Sequence, residues 1–272
     1  MSSVPQWFVT ENVPADISEA LARAGSRLGL FENRLCWYDE IGSTNDAAIS
    51  AAEAGAPEGV VIVANTQSTG RGRVGRSWSS PPGAGLYVSV VLRPAGPALL
   101  LLTIAAGVAI AEGVQTASGL DTCVKWPNDV QVGSRKLAGI LAEAGSSAGA
   151  VDHVVLGFGI NILRAAYPPD VAARATSIES ELGRVVDRGL VLAECLAALS
   201  NRYGTLGRGG ANDVIAAWRT RAATHMGRVV EWHVDRRAQR GLAHDIDATG
   251  ALLVRVDHRI VRVISGEVRW LS

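Results

Sequence analysis

The run ALLLLTIAAGVAIA at residues 98–111 is the strongest constraint on what this chain can become. Wound as a helix it is apolar on every side, so it needs cover on every side. A bilayer crossing takes about 20 such residues, and this run is shorter and is followed by AEGV. It therefore predicts a helix buried against a sheet. Residues 59–67, GVVIVANTQ, and 85–93, GLYVSVVLR, are apolar and rich in β-branched side chains, the texture of buried strands.

Residues 130–144 predict a hairpin, VQV then RKLAGILAEA, with Gly133 and Ser134 at its turn. Residues 151–163, VDHVVLGFGINIL, predict a strand pair or one long strand broken by glycines. Helical patterns cover 17–28, 188–203 and 212–223. Beyond Gly227 the texture changes to short alternating stretches, VVEWHV, RGLAHDID, ALLVRV and RIVRVISGEVRWL, with turns at Asp235-Arg236 and Thr249-Gly250. That spacing predicts a small β-barrel of roughly 45 residues. The expected division is a lead-in at 1–33, a main domain at 34–223 and a C-terminal domain at 224–272.

Acidic and basic residues balance at 26 each. The chain has no global field to hold it on nucleic acid or an anionic membrane. Cys36, Cys123 and Cys195 are scattered without a C-x-x-C spacing, which argues against a zinc site or a disulfide framework and for a reducing cytoplasm. The opening MSSVPQWFVTENVP lacks a basic region followed by an apolar run, so it does not read as a signal peptide.

Against that neutral background, STGRGRVGRSW at 68–78 concentrates Arg71, Arg73 and Arg76 among Gly70, Gly72 and Gly75. Guanidinium forks suit phosphate or carboxylate oxygens, and glycines let backbone approach a ligand. Trp78 adds a flat π face. A solvated basic loop or an RNA-binding RG segment is the bland alternative, although such segments recur and this one occurs once. KWPNDV at 125–130 puts Lys125, Asn128 and Asp129 at a strand end around a proline, and is also good turn chemistry. Lys136 precedes an apolar strand and either aims inward or snorkels. GFGIN at 157–161 suits a flat ligand or a β-bulge. GSTN at 42–45 suits a helix N-cap or a polar ligand head.

Taken in order, GSTN, Q-x-x-GRGRxGRxW, KWPND, RKLAGIL and GxGIN resemble the biotin protein ligases, densely over residues 36–165. The resemblance implies an α+β fold, a mixed sheet flanked by helices with a small SH3-like C-terminal barrel. It implies a ligase that uses ATP and Mg²⁺ to make biotinyl-adenylate, then transfers biotin to a lysine on the carrier domain of a carboxylase. It assigns Ser43, Thr44, Asn45, Gln67, Gly70, Gly139 and Gly157 to the biotin shell, with Arg71, Gly72 and Arg73 closing over it. Lys136 becomes the main catalytic residue, contacting carboxylate and α-phosphate. Trp78 and Asn161 fall near adenine, Arg76, Lys125 and Asn128 near phosphates, and Asp129 near the acceptor amine. No protein-held metal site is implied, nor any nucleic acid or membrane partner. A homodimer through sheet edges is compatible. The lead-in of about 33 residues is too short for the winged DNA-binding domain of some members. A lipoate ligase would show consecutive glycines after an arginine, a pattern absent here; a non-catalytic biotin sensor could dispense with Lys136.

Overall fold

The computed structural model describes residues 13–271 except Pro97, 148–149, 166, 168, 235–236 and 265–267. Seven strands form the main sheet: β1 (Leu35–Tyr38), β2 (Val61–Ala64), β3 (Gly85–Leu92), β4 (Cys123–Lys125), β5 (Asp129–Val132), β6 (Arg135–Ser147) and β7 (Ala150–Asn161). Their order is β1-β2-β3-β7-β6-β5-β4, parallel between β1 and β2 and antiparallel elsewhere. The helices are α1 (Ala15–Ala24), α2 (Thr44–Glu53), α3 (Ala98–Ser118), α4 (Pro169–Ala172), α5 (Ile178–Leu182), α6 (Arg188–Gly207) and α7 (Ala211–Ala222).

Alternation along the strands sorts the core into two layers. Val61, Val63, Val88, Val90, Leu92, Val154 and Leu156 point to the face covered by α1, α3, α6 and α7. Cys36, Ile62, Val91 and Val155 point the other way, against Ala48, Ala51 and Ala52 of α2. With both faces covered, β3 is buried at every position, which is why GLYVSVVL reads as continuously apolar. Helix α3 runs through to Ser118, longer than the apolar run suggests. At 21 residues it is long enough to cross a membrane, so the length argument fails, but 72% of its most apolar window is buried inside the protein. Gly113 lets it approach α6, because a side chain there would meet the backbone of Cys195.

Other expectations shift in detail. Only Val61–Ala64 of the 59–67 stretch joins the ladder. Residues 151–163 form most of one strand rather than a pair. The N-terminal helix ends at Ala24, where Gly25 takes φ +51°, and a 3-10 turn continues to Phe31. Strands β1 and β4 were not foreseen, being three or four residues long. The C-terminal segment forms a five-stranded antiparallel sheet, β8 (Val229–Val234), β9 (Arg237–Ile246), β10 (Leu252–Val256), β11 (Arg259–Val263) and β12 (Arg269–Trp270), in the order β11-β10-β9-β8-β12. Among the described residues no ladder joins β11 to β12 to close the expected barrel. The expected turn at Asp235-Arg236 lies outside the described residues.

This second sheet is fastened to the loop between β4 and β5. Trp126 donates its indole N–H to the Gly250 carbonyl at 2.9 Å, and Trp270 donates to the Trp126 carbonyl at 3.2 Å. His225 packs edge-on to Trp270, with its Nε2 3.5 Å from Cys123 Sγ. Burial first, then the charges of Arg228 and Lys125, push the His225 imidazole down to about 4, with Asp129 opposing. Below pH 6.5 the unfolded chain protonates this ring before the folded chain does, so stability falls as pH drops towards 4. The contribution present above pH 6.5 shrinks by about 3 kcal/mol on reaching pH 4. His225→Phe should flatten that part of the stability profile measured by urea unfolding; a slope equal to wild type would rule the ring out as its source.

Candidate active site

Helix α2 begins under an unusual cap. Ser43 holds an extended N-cap conformation but makes no side-chain cap bond. Gln67 supplies one from a distance, its Oε1 accepting the Thr44 backbone N–H at 2.8 Å and the Thr44 hydroxyl at 3.1 Å. Gln67 reaches this place through a parallel bridge to Ile41, and its Nε2 donates to Ser80 Oγ. Ser89, fully buried in the middle of β3, lies 2.8 Å from Thr44 Oγ1 and 2.6 Å from Asn45 Oδ1. Asn45 Nδ2 donates to Glu143 Oε2 at 2.6 Å. Gly157 is required opposite it, since any side chain there would collide with Asn45. Polar groups this deeply buried are costly unless paired; here each strengthens the next.

The Gly–Arg segment is a tight hairpin. Trp78 N–H donates to the Gly70 carbonyl at 2.8 Å, Gly72 N–H to the Arg76 carbonyl at 2.6 Å, and Arg71 bridges Ser77. Val74 at the tip has φ +56° and is 70% exposed, an unfavourable conformation for a β-branched residue. Arg71 Nη2 meets Asp46 at 2.7 Å and Glu143 at 2.8 Å. Arg73 Nη1 reaches Asn128 Oδ1 at 3.3 Å. Asn128 is itself fixed to β6, donating to the Ile140 carbonyl and accepting the Ile140 N–H.

Strands β5 and β6 aim Lys136. Their register slips between Val130 and Gln131, so that Asp129 opposes Gly139 while Gln131 opposes Lys136. In a regular strand, residues three apart face opposite ways. The bulge turns Lys136 and Gly139 to one face, where Lys136 Nζ lies 2.6 Å from Asp129 Oδ1 and 5.2 Å from the centroid of the Trp78 ring. The indole rests on Gly139 and Gly159, at both of which a Cβ would strike it. Its Nε1 is buried without a protein partner.

Two cavities meet at this point. One of about 50 Å³ is lined by Ser43, Thr44, Asn45, Gln67, Arg71 to Arg73 and glycines 139, 157 and 159. The other, about 180 Å³, is lined by Arg76, Asn161, Tyr167 and Arg174. Trp78 and Lys136 line both. The first holds a neutral polar shelf, the second several cations, and an ammonium stands between them. Such an arrangement can bring a carboxylate on one side to a phosphate on the other.

Residues 39–161 match the Biotin/lipoate A/B protein ligase family. The chain is 35% identical to the biotin--[acetyl-CoA-carboxylase] ligase of Mycobacterium tuberculosis, over 84% of this chain and 86% of that protein.

The chain belongs to this family.

It is also 32% identical to the bifunctional ligase/repressor BirA of Bacillus spizizenii, over 94% of this chain and 79% of that one. Its fold matches the biotin protein ligase from Aquifex aeolicus in complex with biotin and ATP, with a TM-score of 0.77 at 26% identity, covering 88% of this chain and 99% of the other.

Most residues named from the ligase motifs gather here, with five qualifications. Asn128, expected near the phosphates, lines the first cavity and not the second, and Asp129 lines neither but pairs with Lys136. Gly70 does not line the first cavity; it is buried beneath the Trp78 carbonyl, where a side chain would collide. Lys125 lines neither cavity and lies across from Asp129 in the β4–β5 ladder, its ammonium pKa lowered chiefly by burial. Asn161 lines the second cavity, but its amide also donates to the Thr176 carbonyl at 2.9 Å.

Sequence reasoning missed Asp46, Ser89, Glu143, Tyr167 and Arg174. Glu143 had a signal: it shares the face of Gly139 along β6 and interrupts an apolar strand. Arg174 had none, because it reaches Lys136 through a bridge formed by the segment after α4. Glu143 ties the Arg71 hairpin to α2, so Glu143→Ala should loosen that hairpin. Losing about 1.4 kcal/mol of charge-assisted bonding would speed amide exchange at Gly72 and Trp78 roughly tenfold. Unchanged exchange at those two amides would show that Glu143 does not hold the loop.

Proposed function

We propose that the junction at Lys136 is where biotin and ATP are joined. The protein is an ATP-dependent biotin ligase that forms biotinyl-5′-adenylate and transfers biotin to a biotin-dependent carboxylase. The observation that carries the reading is the placement of Lys136 and Trp78 in the shared wall of the two cavities. Biotin occupies the first, its ureido ring on Ser43, Thr44, Asn45 and Gln67; ATP occupies the second, its adenine against Trp78 near Asn161 with Arg76 at the phosphates. The first cavity is smaller than a bound ligand requires, so the 70–78 hairpin lifts to admit biotin and closes again. Mg²⁺ arrives on the nucleotide; among the described residues no cluster of three or more acidic, histidine or cysteine side chains would hold it.

In the first step a biotin carboxylate oxygen attacks the α-phosphorus, and the bond to the β-phosphate bridging oxygen breaks, releasing pyrophosphate. Two anions approach each other, and Lys136, Arg71 and Arg73 offset that repulsion. Asp129 holds the Lys136 ammonium in place beforehand. In the second step the acceptor lysine amine attacks the acyl carbon, the carbon–oxygen bond to phosphate breaks and AMP leaves. Asp129, already against Lys136, is the carboxylate we assign to orient that amine and take its proton. A groove of about 460 Å³ runs from Arg73 and Pro127 to Gly250 and Arg262 on the second sheet, and we assign it to the approaching carrier domain. We keep the division into domains 34–223 and 224–272, a cytoplasmic setting and a homodimer as parts of this proposal.

A lipoate ligase is disfavoured by the shelf itself. A dithiolane ring would cover Thr44, Asn45 and Gln67 without bonding them, and a site built to hydrogen-bond rejects a ligand that cannot. Incubation with ATP, Mg²⁺ and either biotin or lipoate, without acceptor, should give biotinyl-adenylate by mass spectrometry, with lipoyl-adenylate at least roughly tenfold lower. Lys136→Ala should lose the product. Equal use of lipoate would overturn the shelf assignment; full activity in Lys136→Ala would overturn the central role of the ammonium. Arg73→Gly removes the hairpin's contact to Asn128 and should release adenylate that labels bystander proteins. Bystander labelling no greater than wild type, with adenylation retained, would refute the lid.

A further inference from the structure

Of the 26 lysines and arginines in this chain only two are lysines, Lys125 and Lys136. Both belong to the neighbourhood of Asp129: Lys136 by ion pair, Lys125 by register. Every other basic position is arginine, from Arg23 on α1 to Arg259 on β11. Charge alone does not require this. Arg23 meets Glu19 one helical turn away through a single 3.6 Å contact, with both side chains more than half exposed, and a lysine would make that pair as well.

The difference between the two cations is nucleophilicity. A guanidinium stays protonated at any physiological pH and does not attack acyl groups, whereas a lysine ammonium titrates near 10.4 and its free fraction does. A mixed anhydride that escapes the site acylates whatever amine it meets first, and the surface it meets first is the ligase. We propose that the side chains of this protein are closed to acylation by the biotinyl-adenylate it makes, because its surface offers guanidinium groups where lysines would otherwise stand. The inference rests on the ligase reading above.

The remaining amines and thiols, the side chains that would keep an acyl label, are few and sheltered. Lys136 Nζ is occupied by its ion pair with Asp129 Oδ1 at 2.6 Å. Lys125, whose ammonium pKa burial lowers, is kept from the adenylate by position alone: it is partly buried and lines neither cavity. Cys36 and Cys195 are buried, and Cys123 is partly so; burial raises all three thiols above their ordinary range. Acylation of an amine forms a carbon–nitrogen bond, breaks the acyl carbon–oxygen bond with AMP leaving, and passes the amine proton to solvent. A guanidinium has no free pair with which to begin.

The test is to expose the full chain to synthetic biotinyl-5′-adenylate in excess, with serum albumin in the same tube as a lysine-bearing control, and map biotin by peptide mass spectrometry. Arg23→Lys and Arg259→Lys, both at exposed positions away from the site, are run in parallel, and label on the chain's α-amine is counted apart. The expected result is biotin on albumin and on each introduced lysine, with wild-type side chains bare. Biotin on wild-type Lys125 or Lys136 at the level of the introduced lysines would overturn the proposal. So would bare introduced lysines beside labelled albumin. A second arm replaces the synthetic adenylate with biotin, ATP and Mg²⁺. Albumin labelled in the first arm, with no adenylate formed in the second, would strike the ligase reading and the proposal with it, whereas labelled wild-type lysines beside adenylate formed in the second arm would strike the proposal alone.

Discussion

Trp78 can lie flat against strands β6 and β7 because Gly139 and Gly159 present bare backbone to it. Much of the site follows from that contact. With the indole down, the Trp78 backbone N–H bonded to the Gly70 carbonyl closes the arginine hairpin over the sheet. The indole face then receives the Lys136 ammonium, an attraction of about 0.5–1 kcal/mol where partly solvated, and the ring separates the two cavities. Either glycine replaced by a larger residue would lift the indole, and with it the hairpin and the wall. The register slip in β5–β6 completes the arrangement by turning Lys136 to the same side.

The second organising element is a chain of polar groups, buried at Ser80, Thr44, Ser89 and Asn45 and more open at Gln67, Glu143 and Arg71. It crosses from the end of β2 through the centre of β3 to β6, so it ties together strands that are far apart in sequence. In a low-dielectric interior such a network is rigid when complete and costly when broken. That suits recognition of a neutral head group with alternating donors and acceptors. It also couples the polar shelf to the hairpin, since Glu143 accepts from Asn45 and Arg71 with the same oxygen.

The sequence made much of this legible, for reasons that can be named. Helix α3 was readable because its apolar surface is unbroken; β3 because both its faces are covered; the β5–β6 hairpin because Gly133 takes φ +58° at the turn. The clustering of Arg71, Arg73, Trp78, Asn128, Asp129 and Lys136 came from motif order rather than from pattern. What stayed hidden depends on long-range geometry. No local signal shows that one extra residue in β6 puts Lys136 and Gly139 on a common face. None shows that Gln67 caps a helix 23 residues earlier, or that Arg174 returns to the start of β6. The C-terminal stretches were legible as strands, but their order and their hold on Trp126 were not.

That hold has a consequence for how the protein comes into being. The loop bearing Asn128 and Asp129 is secured by partners 124 and 144 residues further along, Gly250 and Trp270. During synthesis at about 5–20 residues per second, a nascent chain carries the arginine hairpin and Lys136 on the order of 10 s before those partners exist. Arg71, Arg73, Asp129 and Lys136 are thus translated early and fixed late. The growing chain gains a fully braced site only after its second sheet has emerged.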